Sequence, residues 1–281
     1  MSRKSFIGRA AAALTMAAGL LAGQAALAPA EAQAQPPVSS SQIAADVPAL
    51  DAFFTFTGQP GSRVPGHYFT SPKVPAGLDF NAPLVGASTP ILVGEDSLCT
   101  MGAVGTDSHG NKVGITAGHC GKPGNPVYSF DATNDRGEFA RIGTFERAGS
   151  IDYGVVKLDN NVQLTNSYNN VKISNAGGAV PGLFTQLCKT GITTGGSCGP
   201  ALIDSGELLI SQVCASTGDS GGPVYVGDRL VGIVSAGLGS LPSCFTPLQG
   251  PIHAPLAAVD WNKISAELNA HGGTGAGFKL A

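Results

Sequence analysis

From about residue 91 onward, apolar residues occur in short runs that polar and turn-forming residues separate. The runs are rich in Val, Ile and Leu, and they read PILVG, TMGAVG, KVGITAG, YGVVKL, ELLISQV, PVYVG and RLVGIVSAG. DSHGN (Asp107–Asn111) lies between two of them and predicts a hairpin turn. Many short strands at such intervals favour a sandwich or barrel over alternating strand and helix units. The pattern therefore predicts an all-β fold.

One segment near the C-terminus has a helical pattern instead. In residues 254–273, the apolar residues Leu256, Val259, Ile264 and Leu268 approximate one face of a helix, and a Gly-Gly pair follows them. We predict a short C-terminal helix in this segment.

The first 34 residues have the pattern of a signal peptide. Basic residues occupy three of the first nine positions, an apolar Ala-rich run follows over Ala11–Ala28, and small-x-small sites end at Ala28 and Ala34. The alternative is a membrane anchor, but Gln24 interrupts the apolar run. The Arg3-Lys4 pair only faintly resembles a twin-arginine signal. We therefore expect residues 1–34 to be removed and the protein to be secreted.

Residues 35–88 differ in composition from the rest of the chain. They contain many prolines, no cysteine and one aromatic cluster, Phe53, Phe54 and Phe56. Prolines at this density prevent long helices and central strands. We interpret the segment as a propeptide or linker that partly docks on the domain behind it, residues 89–281. A disordered stalk is the alternative.

Composition limits the partners. Charged residues make up 12% of the 281 residues and the formal net charge is −3, with no basic patch to hold nucleic acid or anionic lipid. The six cysteines at 99, 120, 188, 198, 214 and 244 lie beyond the signal. In an exported protein this even number argues for three disulfides, among 15 possible pairings. No CxxC or HxxxH spacing points to a metal site, so we expect neither metal nor cofactor.

Three chemically reactive side chains lie in turns beside apolar runs. His119 is in TAGHC, Asp152 precedes YGVVKL, and Ser220 is in GDSGGPV. Each residue alone is compatible with a structural role. Together they supply a nucleophile, a base that activates it, and a carboxylate that orients the base. The glycines allow an unusual backbone that aims the Gly218 and Ser220 N–H groups at a developing oxyanion.

GDSGG also fits G-x-S-x-G, the nucleophile turn of α/β-hydrolases. That architecture needs a helix after the serine and a histidine further downstream. His253 and His271 lie downstream, but VYVGDRLVGIVSAG is strand-like and no strand–helix alternation surrounds it. The sequence argues against this alternative.

These segments resemble the chymotrypsin-like serine peptidases, above all their compact secreted bacterial branch, that of the streptogrisins and α-lytic protease. TAGHC, DYGVVKL and GDSGGPV are similar to the three signature segments of the family, in its order. CKTGITTGGSCG (Cys188–Gly199) resembles the disulfide loop of the bacterial branch, and CASTGDSGGP resembles its placement of a cysteine six residues before the nucleophile. VGIVSAG resembles its substrate-aligning strand. The resemblance covers about Cys99 to the C-terminal helix.

The resemblance implies two six-stranded antiparallel Greek-key β-barrels, of about residues 89–170 and 180–260, with the active site between them. His119 would be the general base, Asp152 its orienting carboxylate and Ser220 the nucleophile, with Gly218 and Ser220 forming the oxyanion hole. Ser235, Ala236 and Gly237 would align the substrate, and Ser235 would lie beside Asp152. The implied disulfides are Cys99–Cys120, Cys188–Cys198 and Cys214–Cys244.

Two departures from the family concern activation. The segment before the domain is shorter than the usual propeptide, and there is no clear mature start such as Ile-x-Gly-Gly. ILVGED at Ile91 is the nearest match. If no N-terminus is freed there, Asp219 needs another partner.

Specificity is inferred from what the pocket segments lack. CASTGDS has no acid other than Asp219, and Val234 stands where a glutamate-preferring relative would have a histidine. We therefore expect an uncharged residue before the cleaved bond, with Leu238–Pro242 reshaping the pocket.

The sequence favours an exported, monomeric serine endopeptidase acting on proteins or peptides. Two other classes stay open. One is a non-catalytic binding protein on the same fold, its cleft blocked by residues 35–88, and the other is an α/β-hydrolase esterase that uses His253.

Overall fold

The computed structural model describes residues 82–129, 140–168, 171–239, 241–244 and 252–281. The predicted signal peptide and residues 35–81 of the predicted propeptide lie outside the described residues. No helix in the described part of the chain is long and apolar enough to cross a membrane.

The described chain is built mainly of short strands. They are β1 (Leu84–Val85), β2 (Pro90–Val93), β3 (Ser97–Thr100), β4 (Ala103–Thr106), β5 (Lys112–Thr116), β6 (Pro126–Ser129), β7 (Ala140–Ala148), β8 (Gly154–Leu158), β9 (Gln163–Leu164), β10 (Ser167–Tyr168), β11 (Val171–Lys172), β12 (Asn175–Ala176), β13 (Gln186–Gly191), β14 (Gly195–Asp204), β15 (Leu208–Ser211), β16 (Pro223–Val226), β17 (Arg229–Gly237), β18 (Leu256–Asp260) and β19 (Lys279–Leu280). A 3₁₀ turn, Gly118–Cys120, and one α-helix, α1 (Trp261–His271), complete the described elements.

The N-terminal lobe is a sheet of eight strands in the order β19-β4-β5-β8-β7-β6-β2-β3. Only Met101 and Gly102 separate β3, at one edge, from β4, near the other. This short connection brings the two edges together, so the sheet curls into an open half-barrel around an apolar core. Core residues include Val85, Ile91, Met101, Val104, Val127, Ile142, Phe145 and Val156.

The C-terminal lobe is a closed barrel of six antiparallel strands. Its order is β17-β16-β13-β14-β15-β18, and β17 also pairs with β18, which closes the ring. The long-range neighbours β13–β16 and β15–β18 give the barrel a Greek-key path. The predicted all-β, trypsin-like fold is confirmed, with one closed six-stranded barrel and one half-barrel.

Local predictions agree with the structure at the hairpin and differ at the helix. β4 and β5 pair across Asp107–Asn111, and Asp107 Oδ1 accepts hydrogen bonds from the backbone N–H groups of His109 and Asn111, both at 2.9 Å. The predicted helix over 254–273 is wrong in its first part, because Leu256–Asp260 is β18. The helix begins only after Asp260, whose side chain caps it by accepting from Asn262 N at 2.7 Å.

The described chain already packs against the N-terminal lobe at Leu84. β1 pairs in parallel with β9, and Leu84, Val85 and Ala87 are buried. Residues 84–88, which the sequence assigns to the propeptide or linker, are thus packed on the body of the protein.

Candidate active site

His119 and Asp152 lie in two turns that the half-barrel sheet brings together. His119 is in the 3₁₀ turn after β5, and Asp152 is in the loop between β7 and β8; β5 pairs with β8. The Asp152 carboxylate accepts a hydrogen bond from His119 N at 2.8 Å. Its oxygens Oδ1 and Oδ2 also lie 3.1 and 3.0 Å from His119 Nδ1. These contacts orient the imidazole with Nδ1 on the carboxylate, which leaves Nε2 as the nitrogen able to accept a proton.

Ser235 completes the surroundings of the carboxylate. Ser235 belongs to the C-terminal lobe, and its hydroxyl donates a hydrogen bond of 2.5 Å to Asp152 Oδ2. Burial raises the pKa of the Asp152 carboxyl, but the hydrogen bonds from His119 and Ser235 outweigh burial, and the net pKa is lowered. The same hydrogen bond to Asp152 raises the pKa of His119 above 6.5, against the opposing effect of burial. The pair therefore stabilises an imidazolium beside an ionised carboxylate.

The loop that carries Ser220 has a backbone which glycine alone adopts readily. Gly218 has φ of +96°, and a Cβ there would lie 2.3 Å from Thr193 Oγ1. Thr100, from the half-barrel, donates its N–H to Ser220 O at 2.8 Å and its hydroxyl to Gly218 O at 2.9 Å. With these carbonyls held, the N–H groups of Gly218 and Ser220 have no hydrogen-bond partner among the described residues. Both are free to bind an anionic oxygen.

The Ser220 loop meets the turn of His119 through the neighbouring Cys120. Cys120 Sγ, next to His119 in the chain, is 3.9 Å from Ser220 O. Between the described side chains of Ser220 and His119 the structure has no hydrogen bond. Such bonds are often long before substrate binds.

Asp219 has a partner within the chain. It forms a fully buried ion pair with Lys189 of β13, Nζ to Oδ2 at 2.8 Å. The backbone N–H groups of Thr193, Thr194 and Ser216 also donate to its carboxylate, at 2.8, 3.1 and 3.0 Å. Burial lowers the pKa of Lys189, and the Asp219 carboxylate opposes that shift.

Ile91, the candidate mature start, does not approach Asp219 as a terminus. It is fully buried inside β2, opposite Cys99 of β3. The sequence did not identify Lys189, because nothing in the pattern around this lysine of β13 indicates a partner 30 residues away.

The predicted substrate strand is the end of β17. Val234, Ala236 and Gly237 pair with β18, while Ala236 and Gly237 stay exposed to solvent. The register shifts by one residue between Val234 and Ala236, next to the Ser235 that bonds Asp152. The exposed strand end thus lies beside the candidate catalytic groups.

The disulfides of the structure join the cysteines that the resemblance implies: Cys99–Cys120, Cys188–Cys198 and Cys214–Cys244. The first ties the turn of His119 to β3, and the third ties the Ser220 loop to the segment after β17. Cys99, His119 and Cys120 come close enough to suggest a metal site, but both sulfurs are used in the disulfide.

An open cavity of about 700 Å³ adjoins His119 on the side of the β2–β3 hairpin. Glu95 and Asp96, at the tip of this hairpin, line the cavity together with Lys122 and Asn125. His119 lines this cavity, whereas Ser220 and β17 do not.

Comparison with known proteins agrees with this geometry. The family model described as Trypsin matches residues 102–252, more than half of the chain and all three candidate residues. "Serine protease 2" of Streptomyces fradiae is 32% identical over 164 residues, which cover 50% of this chain and 88% of that protein. Streptogrisin-A of Streptomyces griseus is 30% identical over 62% of this chain and 61% of its own length.

A solved structure shows the same fold. That of the Nocardiopsis protease NAPase superposes with a TM-score of 0.54 at 25% identity, and covers 70% of this chain and 98% of that one. The α/β-hydrolase alternative is wrong, because Ser220 precedes a strand of a closed β-barrel. The chain belongs to the trypsin family, as a chymotrypsin-like bacterial serine endopeptidase.

Proposed function

We propose that the protein is an exported serine endopeptidase that cleaves peptide bonds through His119, Asp152 and Ser220 and an acyl-enzyme intermediate. The observation that carries the proposal is the chain of contacts Ser235–Asp152–His119. It fixes the imidazole through Nδ1, at 3.0 Å from Asp152 Oδ2, and so presents Nε2 as a base.

The reaction follows from these positions. Ser220 Oγ attacks the carbonyl carbon of the scissile bond while His119 Nε2 takes the hydroxyl proton. The N–H groups of Gly218 and Ser220 bind the negative oxygen of the tetrahedral intermediate. His119 then gives its proton to the leaving amine, and the acyl group stays on Ser220. Water, deprotonated by His119, attacks the ester carbonyl, and the C–O bond to Ser220 breaks as His119 returns the proton to Ser220 Oγ, which releases the second product as a carboxylic acid.

An uncharged residue before the cleaved bond fits the charges near Ser220. The one acid of the Cys214–Ser220 loop, Asp219, is fully buried and paired with Lys189. It cannot bind a basic side chain, and for the same reason Lys189 cannot bind an acidic one. Peptide substrates with Phe, Leu or Ala at this position should therefore be cleaved faster than those with Arg or Glu.

Export and processing are part of the proposal. The three disulfides suit an oxidising compartment outside the cytoplasm. We propose that residues 1–34 are removed as a signal and that residues 35–88 form a propeptide or linker. Because Lys189 already pairs with Asp219, the Ser220 loop needs no freed N-terminus to adopt its geometry. N-terminal sequencing of the exported protein tests both boundaries; an intact residue 1 contradicts export with signal removal.

The catalytic assignment is tested with single variants of the exported protein on a chromogenic peptide substrate. Ser220→Ala and His119→Ala should each lower kcat by about 10⁴-fold or more, as the loss of one triad member does in related enzymes. Ser216→Ala, in the same loop, is the matched control and should keep kcat within about threefold. A non-catalytic binding protein would instead show no turnover in the parent chain. Equal activities of the parent and Ser220→Ala would refute the assignment.

A further inference from the structure

The loop that presents Asp152 has an unfavourable backbone. Asp152 has φ of +56°, one of three residues other than glycine in the described chain with positive φ. Residues with a Cβ adopt this left-handed conformation at an energetic cost, which Asp and Asn bear better than most. The loop of residues 149–153 must therefore be held from outside, or Asp152 will relax to a commoner conformation and move its carboxylate.

Glu267 of α1 contacts this loop two residues before Asp152. Its Oε1 accepts the backbone N–H of Ser150 at 2.7 Å, and its Oε2 accepts the Ser150 hydroxyl at 2.8 Å. Hydrogen bonds to an ionised carboxylate are shorter and stronger than those between neutral groups. Because the two bonds leave from both the backbone and the side chain of Ser150, they fix its orientation as well as its position.

The base of the loop has contacts of its own, and Glu267 reaches it as well, because burial and the nearby Glu267 carboxylate both raise the pKa of the Tyr153 hydroxyl. Gly149 N donates to Tyr153 O at 2.6 Å, and the buried Tyr153 ring packs where a Cβ on Gly149 would lie, 1.9 Å from Cε1. The Tyr153 hydroxyl accepts from Arg147 Nη1 at 3.0 Å. These contacts close the loop at its base. Among the described residues, Glu267 is the hydrogen-bond partner of Ser150, at the tip.

We propose that Glu267 is a positioning residue for peptide hydrolysis: its carboxylate holds Ser150, and through it keeps Asp152 in the left-handed conformation that places its carboxylate on His119. The proposal rests on the catalytic role proposed for Asp152. Glu267 does not approach the substrate or the reacting atoms in this scheme. It links the C-terminal helix to the orientation of the general base.

The role predicts which kinetic constant changes. Substrate binding uses β17 and the cleft, so KM should stay the same when Glu267 is replaced. The imidazole would be oriented and stabilised less well, so kcat should fall. Replacing the aspartate of a Ser-His-Asp triad by asparagine lowers kcat by about 10⁴-fold. Loss of Glu267 would leave the Asp152 carboxylate in place and change only its position, so we expect kcat to fall by only about tenfold.

The experiment compares Glu267→Ala and Glu267→Gln with the parent enzyme on one peptide substrate. Glu267→Ala should lower kcat about tenfold at unchanged KM, and the acid limb of kcat/KM should move to lower pH. The limb moves because Asp152, less well held, raises the pKa of the imidazole less. Glu267→Gln keeps one acceptor oxygen for Ser150, so its kcat should lie between that of the parent and that of Glu267→Ala. Glu207→Gln, which removes the same charge from an exposed turn, is the control and should match the parent.

Two further variants keep the test decisive. Ser150→Ala removes only the bond to Oε2 and should lower kcat about two- to threefold, even if Glu267→Ala fails to fold. In an Asp152→Asn background, Glu267→Ala should have no further effect on kcat, because the carboxylate it positions is gone. A merely structural role would multiply the two losses instead.

The outcomes separate the two proposals. If Asp152→Asn abolishes activity while Glu267→Ala leaves kcat and the acid limb as in the parent, the positioning role is wrong and the triad stands. A multiplied loss in the double variant also overturns the positioning role. If Asp152→Asn is as active as the parent, the triad itself is wrong.

Discussion

Breaking the buried ion pair of Lys189 and Asp219 should lower the free energy of unfolding by several kcal/mol. Both side chains are fully shielded from solvent, with Nζ 2.8 Å from Oδ2. Replacing Lys189 by Met keeps most of the apolar volume but leaves a buried carboxylate without its counterion. Breaking such a pair costs about 3–5 kcal/mol. Asp219 keeps three backbone donors at 2.8–3.1 Å, so we expect the lower end, about 3 kcal/mol, or roughly a 150-fold change in the unfolding equilibrium.

Denaturant unfolding of four proteins measures this effect: the parent, Lys189→Met, Asp219→Asn and the double variant. Each single variant should lose about 3 kcal/mol, and the double variant should lose only about 2 kcal/mol because no charge is left unpaired. Arg141→Met is the control, since its pair with Asp159 is partly exposed (48% and 32%). Pairs of that kind contribute about 0–1 kcal/mol. Additive losses, or a loss for Lys189→Met no larger than that of the control, would show that the buried ion pair does not stabilise the fold in this way.

Three other variants or conditions probe the same geometry. The acid limb of kcat/KM should have its midpoint above 6.5, because only the neutral imidazole of His119 accepts a proton and its hydrogen bond to Asp152 raises its pKa; a midpoint at or below 6.5 would contradict this. Gly218→Ala should lower kcat by up to about 10²–10³-fold, because a Cβ at φ of +96°, 2.3 Å from Thr193 Oγ1, forces the backbone to turn its N–H away from the oxyanion; Gly227→Ala, with positive φ but open space around it, should not lower kcat. Replacing both cysteines of the 30-residue Cys214–Cys244 loop should destabilise the protein by about 4 kcal/mol, against about 3 for the 10-residue Cys188–Cys198 loop. Equal losses in urea unfolding would exclude the loop-closure explanation.

Much of the candidate site could be predicted because its parts are local. Turn residues and short apolar runs mark the strand ends where His119, Asp152 and Ser220 lie, and the hairpin at Asp107–Asn111 follows from turn chemistry alone. The helix start could not be predicted in this way. Leu256 and Val259 fit a helical stripe, but they are buried positions of β18, because closure of the barrel overrides the local pattern.

The contacts that hold the site could not be predicted from the sequence, for a different reason. Lys189 meets Asp219 across 30 positions, and Glu267 meets Ser150 across 117. No sequence periodicity connects polar residues so far apart, and only the folded chain brings them within hydrogen-bond distance. The sequence could therefore name the candidate catalytic groups, whereas Lys189 and Glu267, which contact the loops of Ser220 and Asp152, could be identified only from the fold.

The proposed mechanism depends on Ser220 being a nucleophile that His119 activates. The direct measurement is peptide mass mapping of the exported protein after reaction with a fluorophosphonate. We expect one adduct, on Ser220, which forms at least about a hundredfold more slowly in His119→Ala because the base is lost. An adduct on another serine, or labelling of Ser220 at the same rate without the imidazole, would contradict it.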